Sequence, residues 1–306
     1  MKSSNIGGQA VLEGIMMRNG ERYAVAVRQT NGEIAVDVQE YHGIIPWKTP
    51  LKIPFVRGIF SFIDSLVLGM KTLTFSASFF EEEEENAPRT EEEKKKQEKT
   101  EKIIMDFTVV LSVVLAVAIF MVLPYFLSSL LKKATDSHLV LTIFEGVIRI
   151  VIFLLYLFLI SRMEDIRRTF MYHGAEHKCI NCIEHGLPLN VENVRMSSRQ
   201  HKRCGTSFLF FVMIVSIIVC FFIMVESRVL RLILRILLLP VIAGISYEII
   251  RLAGRTDNVF INALSKPGLM VQNMTTAEPD DSMIEVAIQA VEAVFDWETW
   301  QRENLQ

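Results

Sequence analysis

LVLTIFEGVIRIVIFLLYLFLI, residues 139–160, carries only two charged side chains, Glu145 and Arg149, in its twenty-two positions. A helix needs about twenty apolar-dominated residues to cross the hydrocarbon of a bilayer, so this run by itself predicts a membrane span. Residues 107–127 (FTVVLSVVLAVAIFMVLPYFL), 207–225 (SFLFFVMIVSIIVCFFIMV) and 229–253 (VLRLILRILLLPVIAGISYEIIRLA) match it in length and character. The chain of 306 residues is 51% hydrophobic, and the excess is concentrated in these segments. The expected fold class is membrane α-helical, with four transmembrane helices in two pairs (103–160 and 206–253). A small α+β part containing a β-hairpin or meander lies outside the bilayer.

The N-terminal MKSSNIGGQAVLEG lacks the apolar core of a cleavable signal, so loop charge sets the expected orientation. The connection 161–205 holds eight Lys and Arg, against Lys132, Lys133 and Arg228 on the opposite side. The positive-inside bias then places this connection and both termini in the cytoplasm of a multi-pass cell-membrane protein. A reducing compartment makes Cys179, Cys182 and Cys204 thiols or metal ligands, while Cys220 in its apolar run reads as a small buried hydrophobe. The net charge of −3 offers no basic footprint for nucleic acid. The expected partners are the lipid bilayer and a membrane protein or a second copy of the chain.

Residues 1–50 form a cytoplasmic β unit, in which YAVAVRQ and EIAVDVQ flank Thr30-Asn31-Gly32, the signal of a tight hairpin. Ala and Val fall on both faces of that ribbon, so both faces should be covered. In 51–80, Arg57, Asp64 and Lys71 recur every seven residues along one helical stripe, which predicts an amphipathic helix in the membrane interface, although its length also permits a fifth span. Residues 81–102 are a charged linker. The segment 254–306 is cytoplasmic and contains an amphipathic helix in PDDSMIEVAIQAVEAVFDWE. Within the spans, Glu145 and Arg149 sit four apart as a local ion pair, and Arg231 and Arg235 are expected to snorkel toward the outer surface.

The cytoplasmic connection holds two overlapping metal patterns. His173-x-x-Glu176-His177 on a helix presents two imidazoles to one divalent ion, zinc by type, with Glu176 as general base and Glu184 returning to the same face. Cys179-x-x-Cys182 with His201-x-x-Cys204 instead resembles paired zinc-ribbon knuckles, whose four ligands would close the coordination shell. Glu248, near the cytoplasmic end of the last span, is a further carboxylate candidate.

GQAVLEGIMMR (8–18), YHGAEHK (172–178), RCGTSF (203–208) and TTAEPDD (275–281) together resemble the YqhQ family of bacterial membrane proteins. The resemblance implies a multi-spanning protein of a family without an established function, described at times as a predicted metal-dependent enzyme, whose recurrent polar positions are Glu13, Arg18, His173, Glu176, His177, His201, Arg203 and Cys204. Family members carry other residue types at 179 and 182. The resemblance therefore favours His173, His177, His201 and Cys204 as the ligand set, beside Glu176. Two functions follow as expectations: a metal-dependent hydrolase at the cytoplasmic membrane interface, or a non-catalytic scaffold whose cytoplasmic domain is braced by metal. Transport finds less support, because the spans show no inverted repeat.

Overall fold

Strands β1 (Gly7–Val11), β2 (Gly14–Asn19), β3 (Arg22–Arg28) and β4 (Ile34–Glu40) form an antiparallel meander in that order in the computed structural model of the chain. Gly32, at φ 85°, turns the last hairpin where Asn-Gly predicted it. The structure describes residues 2–44, 52–81, 91–131, 135, 137–223, 225, 227–254 and 258–305. Linker residues 82–90, and Lys132 and Lys133 of the charge count, lie outside these.

The helices are α1 (Val56–Glu81), α2 (Glu91–Val117), α3 (Leu123–Leu130), α4 (His138–Ile160), α5 (Glu164–Glu184), α6 (Val191–Met196), α7 (Gly205–Phe221), α8 (Arg228–Leu237), α9 (Leu239–Ala253), α10 (Val259–Thr275), α11 (Asp281–Glu292) and α12 (Trp297–Asn304). A π-helical turn, Ala118–Val122, joins α2 to α3. The chain divides into two compact units: residues 1–80, 157–215 and 238–306 form one, and residues 81–156 and 216–237 the other.

In the first unit β2 and β3 are buried on both faces, as their alternation requires, but the cover expected for the whole ribbon does not reach the edge strand β4, where Val36 and Val38 are exposed. Ile15, Met17, Ala24 and Ala26 point into a core shared with Ala175, Cys179 and Ile183 of α5 and with Ile284, Ala287 and Val291 of α11. On the other face Val11, Met16, Tyr23, Val25 and Val27 pack with Leu68 of α1. The small side chains of β3 thus meet the α5–α11 layer and its large ones meet α1, a division set by the period-two pleat. Polar groups pin α1 along its length. Asp64 accepts from the Ile44 amide (2.7 Å), Lys71 donates to Gln39 (2.9 Å), Thr72 accepts from Gln9 (2.7 Å) and Ser76 accepts from the Leu12 amide (3.1 Å). Leu66, Met70 and Leu73 are exposed on its other sides. At the start of α1, Arg57 pairs with Glu248 of α9.

Among the described residues, three helical stretches are long and apolar enough to cross a membrane: 56–80, 103–130 and 138–160. Residues 229–253 supply a fourth only if α8 and α9 count as one broken span. The expected span 207–225 is shorter than predicted, since α7 ends at Phe221 after 17 residues. The second unit also corrects the reading of Arg235. It does not snorkel outward but is buried, donating through both terminal nitrogens to Glu145 at 2.5 and 2.9 Å. A carboxylate inside an apolar bundle is too costly to leave to one partner, and the expected Arg149 pair (2.8 Å) is supplemented by a second guanidinium.

Gly174 is the glycine that weakens the H-x-x-E-H helix in sequence, and packing explains it. A Cβ there would stand 2.1 Å from the Ala277 carbonyl oxygen, and the Ala277 amide donates to the Phe170 carbonyl at 2.9 Å. Only glycine lets the segment after α10 lie this close to α5. Gly174→Ala is therefore expected to cost about 2 kcal/mol, seen as a lower thermal unfolding midpoint of the detergent-solubilised chain. Gly7→Ala, where an added Cβ meets nothing within 4 Å, serves as the control that leaves the midpoint in place.

Candidate metal centre

His173 and His177 lie one turn apart on α5, with ring centroids 4.4 Å apart. Cys204, immediately before α7, completes a cluster in which one ligand atom from each of the three residues lies within 4.8 Å of the others. Both imidazoles are oriented from behind. His173 Nδ1 donates to the Thr275 carbonyl (2.8 Å) and His177 Nδ1 to the Arg199 carbonyl (2.7 Å), leaving each Nε2 as the free ring nitrogen. The His173 Nε2 to Cys204 Sγ distance is 3.3 Å. Ligands held at ~2.3 Å (sulfur) and ~2.0 Å (nitrogen) around a tetrahedral ion lie about 3.5 Å apart, so the spacing fits a shared zinc ion. Carbonyl-anchored imidazoles are also the usual outer support of metal-bound histidine.

Charge follows the same arrangement. Burial alone would lower the His173 pKa, but the Cys204 thiolate outweighs it, and the imidazole is pushed up to about 9. Burial correspondingly opposes ionisation of Cys204, yet His173 and then His177 hold the thiol well below its usual range. The sulfur is thus poised as thiolate, the form that binds metal and the form that acts as a nucleophile. The Thr206 hydroxyl lies 2.9 Å from Cys204 Sγ and 3.1 Å from that of Thr275.

The loop that carries the Arg199 carbonyl is held by α5 itself. Buried Lys178 donates to the carbonyls of Arg195 and Ser197, both at 2.9 Å, and pairs with Glu278 at 2.9 Å. Asn181 donates to the carbonyls of Ser198 (2.6 Å) and Gln200 (2.9 Å). Of these supports only Lys178 in YHGAEHK and Thr275 and Glu278 in TTAEPDD fall in a motif, because backbone carbonyls leave no trace in residue type.

The remaining candidates fall in adjoining but separate networks. His201 stands outside the three-residue cluster, its ring centroid 5.7 Å from that of His177 and its Nε2 3.6 Å from Glu184. Its backbone is clamped by the Gln272 side chain, at 2.8 Å to the amide and 3.0 Å to the carbonyl. Glu184 accepts from the Ser4 amide (2.7 Å), the Ser4 hydroxyl (2.8 Å) and Arg203 (2.5 Å), which closes the N-terminal segment onto α5. Glu176 is buried and accepts from the Gly8 amide of β1 at 3.0 Å. Glu13, in the left-handed region at φ 47°, binds Arg168 through both oxygens and lies 3.4 Å from the Tyr172 hydroxyl. Arg18 donates to the Gly20 carbonyl and stacks on Tyr41, and Glu248 is held by Arg57 and the Phe55 amide. Cys179 and Cys182 are buried in the core beneath the sheet, where burial raises both thiols above their usual range.

Glu184 supplies a test of this packing. Burial works against its charge, but His201, Arg203 and Ser4 together hold its carboxyl at about 2, below the ordinary 4.5. A depressed carboxylate stabilises the fold fully above about pH 4.5 and loses that contribution as pH falls toward 2. The contribution is about 3 kcal/mol, so Glu184→Gln should be less stable than wild type at neutral pH. The gap between the two unfolding midpoints should close progressively between pH 4.5 and 2.

The model of a family described as "Protein of unknown function (DUF1385)" matches residues 53–297. The chain is also similar to the uncharacterized protein YqhQ of Bacillus subtilis (strain 168), with 35% identity over 303 residues that cover 97% of this chain and 94% of the relative. No solved structure matches it. On a family match across the site-bearing helices and a near full-length relative, the chain belongs to the YqhQ family.

Proposed function

We propose that the chain is a membrane-embedded, metal-dependent hydrolase acting at the cytoplasmic interface, with His173, His177 and Cys204 as its metal ligands. The observation that carries this reading is the convergence of the three ligand atoms within 4.8 Å. Two imidazoles and a thiolate are a donor set suited to zinc, and three protein ligands leave a coordination position for water or substrate, as in catalytic rather than structural zinc sites. When bound, the ion supplies Lewis acidity toward a carbonyl or phosphoryl oxygen and lowers the pKa of water. Glu176 is the candidate proton acceptor: it precedes a ligand on α5, and it accepts from the Gly8 amide through Oε1, so that Oε2 is the oxygen assigned to take the proton.

The substrate class suited to this location is a peptide or lipid-linked molecule presented at the bilayer surface. In the topology that accompanies the reading, both termini and the site are cytoplasmic. Four spans cross the bilayer and α1 lies in the interface. The bonds of Asp64, Lys71, Thr72 and Ser76 to the sheet support that place for α1, since a helix tied to a sheet through this much of its length is not free to cross.

A second reading, a scaffold braced by the same metal, is favoured by burial. His177 is 2% and Cys204 5% exposed, and Glu176 links α5 to β1. One measurement tests both readings and a second separates them. Elemental analysis of protein purified without an affinity tag should find about one zinc per chain in wild type and almost none in His177→Ala; a metal-free wild type would sink both versions. Glu176→Gln keeps a carbonyl oxygen for the Gly8 amide, so it should retain metal and stability. In the hydrolase reading it loses at least a hundredfold in turnover of a peptide and ester panel by the reconstituted chain, whereas the scaffold reading has no turnover to lose.

A further inference from the structure

The second unit contains a polar site that the metal centre does not explain. Helices α3, α4 and α8 enclose a cavity of about 210 Å³, lined by Tyr125, Ser128, Ser129 and Thr142, with Arg231 and Arg235 on the α8 side. Water occupies about 30 Å³ per molecule, so the space admits a tetrahedral oxyanion and part of what it is esterified to. The cavity lies toward the His138 end of α4, on the half of that helix remote from Ile160.

The charge around it is unbalanced. Glu145, Arg149 and Arg235 are each at least nine-tenths buried, and the single Glu145 carboxylate serves both guanidiniums. Arg231 adds a third cation at the wall, and among the described residues its side chain donates to the neutral Val225 carbonyl. Among the described residues the group therefore holds three guanidiniums to one carboxylate. Arg235 Nε and His138 Nδ1, both buried, have no hydrogen-bond partner among those residues. In an apolar surrounding an excess of buried cations is stabilised by an anion, and guanidinium donors with hydroxyls beside them match the oxygens of phosphate.

We propose that this cavity is a binding site for a phosphate group, presented by the headgroup of an anionic lipid or as free phosphate. Glu145 sets the orientation of Arg235, while Arg231 supplies the contact at the wall, joined by the hydroxyls of Ser128 and Ser129 when they turn from the Tyr125 and Phe126 carbonyls to which they donate (3.0 and 2.6 Å). The site is independent of the metal centre.

Native mass spectrometry of the full-length chain in detergent tests this, with dioleoyl phosphatidylglycerol, inorganic phosphate and phosphate-free dioleoylglycerol as probes. The expected result is at least tenfold tighter retention of phosphatidylglycerol than of dioleoylglycerol, reduced tenfold or more in Arg231→Gln. Glu145→Gln removes the competing carboxylate and should tighten retention. Should that variant fail to fold, Arg231→Gln and the milder Ser128→Ala decide, since neither breaks the buried pair. Retention of inorganic phosphate that is lost in the same variants identifies free phosphate as the source, whereas retention of the lipid alone identifies the headgroup. Equal retention of phosphatidylglycerol and dioleoylglycerol with no binding of phosphate, or retention unchanged in Arg231→Gln, overturns the proposal.

Discussion

Two backbone carbonyls, those of Thr275 and Arg199, fix the rotation of His173 and His177, and the arrangement of the first unit converges on keeping them in place. An imidazole on a helix surface is free to turn about two side-chain bonds. Once its Nδ1 is tied behind, its Nε2 has one direction. The carbonyls come from segments far from α5 in sequence, so the ligand geometry is a property of the tertiary fold. Gly174 admits the first segment by having no Cβ, while Lys178 and Asn181 hold the second through its neighbouring carbonyls. One face of one helix therefore provides two ligands and, in the next turns, the side chains that position the loops supporting them.

The two polar centres of the chain solve burial differently. Around Cys204 a thiol and the His173 imidazole meet in a single contact in which each favours the charged form of the other, and the site is loaded with donor atoms. Around Glu145 the compensation is incomplete among the described residues, since one carboxylate faces several guanidiniums. The first pattern suits a cation that displaces a proton. The second suits an anion that completes the charge. Each centre lies within its own compact unit.

Much of the architecture was legible because its signals are local. The run 139–160 announces α4, Asn31-Gly32 announces the last hairpin, and the apolar residues on both faces of YAVAVRQ announce a strand covered on both sides. What was not legible depends on contacts distant in sequence. Arg235 reads as a snorkelling residue until Glu145, ninety positions earlier, is seen beside it. His201 and Glu184 each read as ligands by spacing, yet Arg203 and Ser4 draw Glu184 into a separate network that His201 borders. The Cys179-x-x-Cys182 spacing has the look of a zinc knuckle, but helical geometry turns both thiols into the core. Breaks at Phe221 and Leu238 shorten the later apolar runs, because their composition sets hydrophobicity without marking where the helix ends.

If two imidazoles and the Cys204 thiolate bind one ion, zinc-edge X-ray absorption of the full-length chain, purified without a metal-affinity tag, should show a shell with a single sulfur at ~2.3 Å and nitrogens at ~2.0 Å, the sulfur disappearing in Cys204→Ser. A shell with two or more sulfurs, which would call on Cys179 and Cys182, or a sulfur that persists in Cys204→Ser, would contradict it.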